Sequence, residues 1–81
     1  MPGTLEEMVY TVRLRAALPT PQKCRDIRIK SGATLGDLAG AVGVSTRCIR
    51  LWERGNRRPR GTNRTAYVAA LIELQALVDR P

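Results

Sequence analysis

The apolar residues of this 81-residue chain recur every three to four positions over most of its length, and the polar residues between them mark where each run must stop. The clearest run lies in the middle. Leu35, Leu38, Ala39 and Val42 share one helical face, Thr34 caps the run, and Asp37 stands three residues on, where it closes a capping box. Gly43 follows the last apolar residue, where a helix commonly ends in a left-handed residue. Ser45 then caps a second run, in which Cys48, Ile49 and Trp52 point one way and Thr46, Arg47, Arg50, Leu51 and Arg54 the other. Gly55 closes this run, and Asn56, Arg57, Arg58, Pro59, Arg60 and Gly61 form a cationic loop that cannot continue it. The pattern predicts helices near 34–42 and 45–54.

Two short helices about a glycine turn read as a helix-turn-helix. A plain helical hairpin with solvated arginines would carry the same charges. It gives no reason, however, for a small Ala39, a glycine four residues later and an apolar Ile49 six beyond that.

The flanking segments extend the helical reading. Pro19-Thr20-Pro21 breaks and restarts the chain, with Thr20 as cap and Pro21 at the first helical position. The helix near 21–31 carries Cys24 and Ile27 inward and stops before Gly32. A last helix near 62–78, capped by Thr62 or Asn63, places Tyr67, Ala70, Leu71, Leu74, Leu77 and Val78 on its core stripe. Val68 and Ile72 make a second, smaller apolar patch. In residues 4–18 two periodicities compete. Thr4 with Glu7 makes a capping box, and Leu5, Met8, Val9, Val12 and Ala16 form a helical stripe. Met8, Tyr10, Val12, Leu14 and Ala16 also alternate with Thr11, Arg13 and Arg15, as a half-buried strand would. We read a helix, which leaves Tyr10, Leu14 and Ala17 as a second apolar strip in need of a cover. The expected fold is therefore all-α: a compact bundle of about five helices, one domain over 1–81 with its core motif at 34–55 and an accessory helix at 4–18. The absence of phenylalanine favours close-packed helices built from Leu, Val, Ile and Ala.

The charge adds a direction. Fourteen basic residues face seven acidic ones, for a net +7. Residues 1–22 and 62–81 are each neutral, so the whole excess lies between Lys23 and Gly61, around the two central helices. That concentration is the footprint expected for a polyanionic partner, with nucleic acid foremost. The basic residues are interleaved with turns and do not line one long amphipathic helix, which disfavours a membrane surface. Cys24 and Cys48 are the only cysteines and histidine is absent, so neither a four-ligand zinc site nor any other metal is expected. Both cysteines fall on apolar faces as small hydrophobes. No histidine, nucleophile–base pair or paired carboxylates suggest an enzyme.

At Ala39, Gly43-Val44-Ser45, Ile49 and Trp52-Glu53-Arg54-Gly55 the chain resembles the DNA-binding domain of Cro and lambda-type phage repressors, the XRE-type helix-turn-helix family, over roughly Pro21 to Gly61. The resemblance implies a recognition helix that starts at Ser45 and enters the major groove by its first residues. Thr46, Arg47, Arg50 and Leu51 then face the bases. Ser45, Arg54, Asn56 and Arg58 match positions that touch phosphate, and Arg57 and Arg60 join them from the cationic loop. The resemblance also pairs Arg28 with Glu53 beside Trp52 as a largely buried salt bridge, and makes Gly43 the fixed turn. The chain departs from the family at Leu35, where a phosphate-binding glutamine is usual. Either Thr34 and the helix N-terminus supply that anchor or the contact is absent.

The expectation from the sequence is a small transcriptional regulator that binds double-stranded DNA sequence-specifically, as a phage or bacterial repressor or Cro-like protein. It would act in the cytoplasm of a bacterial cell or phage-infected host, associated with the nucleoid. No cofactor, small-molecule ligand or membrane partner is expected. A weak homodimer formed on DNA is, with Tyr10, Leu14, Val68 and Ile72 as its candidate contacts; the alternative is that these residues pack on each other within one chain. An excision or recombination accessory protein and an antitoxin-type protein-interaction module are the alternatives.

Overall fold

Short-range signals set most of the helix ends. The computed structural model describes residues 4–16 and 18–80, without the side chains at 11 and 13–16, and these residues form five helices and no strand. They are α1 (Leu5–Ala16), α2 (Pro21–Ser31), α3 (Leu35–Val42), α4 (Thr46–Glu53) and α5 (Gly61–Val78). The competition in residues 4–18 is settled for helix, with the Thr4 hydroxyl accepting from the Glu7 N–H at 3.1 Å.

Three caps act as the residue types dictate. Thr20 is extended and its hydroxyl accepts from the Lys23 N–H at 3.2 Å, which leaves Pro21, with no N–H to satisfy, as the first residue of α2. Thr34 and Asp37 form the complete capping box at the start of α3. The Ser45 hydroxyl accepts from the Cys48 N–H at 3.2 Å to start α4. Between α3 and α4, Gly43 sits at φ 86°, in the left-handed region that costs a glycine nothing, and its N–H donates to the Ala39 carbonyl at 2.8 Å.

The core is built from α2 to α5. Cys24 and Ile27, Leu38, Ala39 and Val42, Ile49 and Trp52, and Tyr67 and Leu71 are all buried in one cluster. Leu35 is half-buried against it. Trp52 and Tyr67 meet at its centre with ring centroids 4.8 Å apart and planes tilted by 48°, a favourable aromatic geometry in a chain that has few rings. This cluster holds α4 by Ile49 and Trp52, so the opposite face of that helix is turned outward.

Three expectations need correction. The last helix starts earlier than Thr62 or Asn63: Gly61 takes a positive φ of 56° that redirects the chain, the cap position falls on Arg60, and no side chain caps the helix. On α5, Val68 is completely buried outside the central cluster, whereas Leu77, assigned to the core stripe, is half exposed. The reason is α1, which packs on α5 and so provides a second buried side to that helix. On α1 the stripe nominated for burial is exposed: Leu5, Met8, Val9 and Val12 all face solvent, and so does Tyr10 of the second strip. The side chains of Leu14 and Ala16, and residue Ala17, lie outside the described residues.

One polar group in the core has no answer. The hydroxyl of Tyr67 is buried without a hydrogen-bond partner among the described residues, although the Cys24 thiol lies near it, and burial pushes both groups up from their ordinary pKa values. The thiol is turned instead toward the Pro19 carbonyl, 3.6 Å away. A buried hydroxyl left unpaired costs about 1–3 kcal/mol. Tyr67→Phe, which removes only that oxygen, is therefore expected to raise stability by about 1 kcal/mol in urea denaturation, and a loss of stability would show that the hydroxyl is paired in solution.

Candidate nucleic-acid interface

The candidate residues lie on the outward face of α4. Thr46, Arg47, Arg50 and Arg54 are exposed and Leu51 is half-buried among them. Arg47, Arg50, Leu51 and Arg54 line one shallow hollow of about 300 Å3. Spacings of three and four residues put these side chains on adjacent turns of one face. None of the three arginines has an ion-pair partner among the described residues.

The cationic loop is locked onto the end of α4. After the last helical turn, Gly55 adopts φ 77°, and the Leu51 carbonyl accepts from the N–H groups of Asn56 and Arg57 at 3.0 and 3.4 Å. Pro59 is buried, while Asn56, Arg57, Arg58 and Arg60 are exposed. The loop and the adjoining side of α4 enclose a broad surface hollow of about 740 Å3, to which Asn56, Arg57, Arg58, Arg60 and Asn63 contribute. On the other flank of α4 a second hollow of about 530 Å3 is shared with α2 through Gln22 and Arg25, and with Arg50 and Arg54. Positive side chains thus lie on both sides of the α4 face.

Gln22 and Arg25 were not among the expected site residues. The signal was present: Arg28 was paired with Glu53 of α4, and Arg25 stands one turn earlier on the same side of α2, so it too must flank α4.

Glu53 is the one buried charged residue in the described structure, and Arg28 answers it. The guanidinium donates from Nε to Oε2 at 2.7 Å and from Nη2 to Oε1 at 3.0 Å, and a third donor, Nη1, reaches the Ala33 carbonyl at 3.2 Å. The two-point bond to Glu53 raises the pKa of Arg28 above its ordinary value. The pair joins α2 to α4 as expected and consumes the only acid of α4, so the remaining arginines of that helix keep their charge uncompensated.

Thr34, expected at phosphate, is exposed at the cap of α3. Its N–H donates to the Asp37 carboxylate at 2.9 Å, and its hydroxyl accepts from the Asp37 N–H at 2.9 Å. These bonds hold the Asp37 carboxyl below the ordinary aspartate range. A phosphate approaching the N-terminus of α3 would meet that carboxylate beside Thr34, and Leu35 is half-buried against the core. Ser45 caps α4 with its hydroxyl oxygen and has no such carboxylate at its cap; the hydroxyls of Thr34 and Ser45 are both exposed and each keeps its proton for an acceptor.

No three of the Cys, Asp and Glu side chains are grouped as a metal site among the described residues, and no helix there is long and apolar enough to cross a membrane. No protein-family model, curated protein sequence or solved structure matches the chain.

Two outcomes follow from the Glu53 and Asp37 carboxylates. Arg28→Ala strands the buried Glu53 carboxylate and is expected to destabilise by about 3–5 kcal/mol, whereas the apolar pair Arg28→Met with Glu53→Leu loses much less; urea unfolding of the two variants makes the comparison. For Asp37 the folded pKa is depressed, so its contribution is complete above the ordinary aspartate value of 3.8 and fades as the pH falls through the folded value. The urea-midpoint difference between the wild type and Asp37→Asn should therefore be largest near neutrality and shrink in acid. A difference that stays constant with pH would detach the box from the carboxylate charge.

Proposed function

We propose that the chain binds double-stranded DNA sequence-specifically as a small transcriptional regulator, with α4 in the major groove. The observation that supports this best is the outward face of α4 and its C-cap, where Arg47, Arg50 and Arg54 stand exposed and without an ion-pair partner among the described residues, while the other face of the helix is buried. The resemblance of residues 39–55 to Cro and lambda-type repressors points the same way, and the α3–turn–α4 unit is read as the helix-turn-helix.

The mechanism follows from the placement of each group. A major groove about 12 Å wide admits one helix, and a guanine offers O6 and N7 to a two-point arginine contact. Arg47, near the N-terminus of α4, and Arg50, one turn on, are the base-reading arginines. Thr46 offers a hydroxyl, and Leu51 an apolar surface for a thymine methyl. Groups around α4 meet the two strands: Asn56, Arg57, Arg58 and Arg60 on one flank, Arg54 with Arg25 and Gln22 on the other, and Ser45 at the N-terminus of the helix. Each phosphate neutralised releases condensed counterions, which makes the affinity fall with salt. In this reading the protein works at the nucleoid of a bacterial cell or phage-infected host.

The test is a pair of variants on a selected duplex and a scrambled one at several salt concentrations. Arg47→Ala should lose about 1–3 kcal/mol on the selected site with little change on the scrambled one. Arg57→Ala should weaken both alike and reduce the salt slope by about one. Equal losses for Arg47→Ala on both duplexes would remove it from the base-reading set, and no selection of any sequence by the wild type would end the reading.

A further inference from the structure

The apolar stripe of α1 is left over once the core is built. Leu5 is 72 % exposed, Met8 56 % and Val12 52 %, an unusual exposure for three large apolar side chains on one face of a twelve-residue helix. Leu5 and Val9, with Glu6 and Tyr10, line a shallow hollow of about 340 Å3 on the same surface. The stripe is remote from the basic face: α1 packs on α5, while α4 packs on α2 and α3. It also lies in a neutral stretch, so a polyanion gains nothing there.

The charges beside the stripe say what covers it. Glu6 and Glu7 occupy the first turn of α1, and the arginines at positions 13 and 15 fall in its second half. Position 13 is seven residues after Glu6 and so lies on the same flank of the stripe. When two copies of such a helix pair antiparallel about a two-fold axis, each flank meets the same flank of the partner with its direction reversed. Glu6 of one copy then stands opposite position 13 of the other, twice by symmetry. A parallel pairing would instead set two acidic first turns side by side. A helix that is acidic at one end, basic at the other and apolar between is complementary to itself.

We propose that the Leu5, Met8, Val9 and Val12 face of α1 is a self-association surface, on which a second copy of this chain packs its own α1 antiparallel. The contact is small. A helix of this length spans about 18 Å, and one such pair buries less than the about 800 Å2 per partner of a stable interface. The dimer is accordingly weak, with dissociation in the upper micromolar to millimolar range. Of the dimer contacts expected from the sequence, Val68 is completely buried, Tyr10 and Ile72 are exposed, and the Leu14 side chain lies outside the described residues. The existence of this surface does not rest on the DNA reading.

Sedimentation equilibrium of the full chain without nucleic acid, over a concentration series reaching the millimolar range, tests the proposal. The wild type should show a monomer–dimer equilibrium. Met8→Glu, at an exposed position that leaves the helix content unchanged by circular dichroism, should weaken dimerisation at least tenfold. Glu6→Arg should weaken it several-fold, and Glu6→Arg with Arg13→Glu should recover most of the loss. A wild type that stays monomeric throughout overturns the proposal, as does a dimer indifferent to Met8→Glu. A dimer lost with Met8→Glu but not recovered by the exchanged charges overturns the antiparallel arrangement.

Discussion

The placement of α4 depends on one buried ion pair. Arg28 and Glu53 are brought together from helices that are far apart in the sequence, and both carboxylate oxygens and all three guanidinium nitrogens are engaged. Apolar packing through Ile49 and Trp52 is non-directional and would tolerate some rotation of α4 about its axis. A two-point hydrogen bond between a planar guanidinium and a carboxylate does not. The pair therefore fixes which residues of α4 look outward, and its value lies more in orientation than in net stability, since a buried pair gains little over well-packed apolar residues.

A second consequence is electrostatic. Of the acids between Lys23 and Gly61, Glu53 is consumed by Arg28, Asp37 is held at the α3 N-terminus, and only Asp26 remains. The cations of α4 and the following loop are left facing one another in a small domain, and their mutual repulsion is a standing cost to the folded state. The fold tolerates it because the loop is tied to the Leu51 carbonyl and buried at Pro59, so the charges cannot spread without breaking backbone hydrogen bonds.

What could be read in advance and what could not divides along physical lines. The ends of α2, the start of α3 and the Gly43 turn were legible because a cap involves residues within four positions of each other, all visible in the sequence. The inward faces of α3 and α4 were legible because their apolar stripes are single. On α1 and α5 two apolar strips compete on one cylinder, and periodicity says only that both exist. Which one is covered depends on a neighbour contributed from the other end of the chain, and so Val68 was misplaced, and Leu5, Met8, Val9 and Val12 were expected to be buried although they are exposed. The start of α5 was missed because a left-handed Gly61 redirects the backbone, a feature that the hydroxyl of Thr62 outranks in any reading of side chains. Arg25 was missed by treating the Arg28–Glu53 pair as a contact between two residues when it also aligns two helices.

The outward positions of α4 have a further property. Thr46, Arg47 and Arg50 take no part in the core, cap no helix end and pair with no acid, while every group that holds the helix in place sits on its inner side or beyond its ends. Exchanging residues at these three positions therefore changes what the helix presents at small expense to the scaffold beneath it. A chain built this way is an interchangeable head on a fixed mount: the surface it presents is free to diverge over a few substitutions while its architecture stays the same.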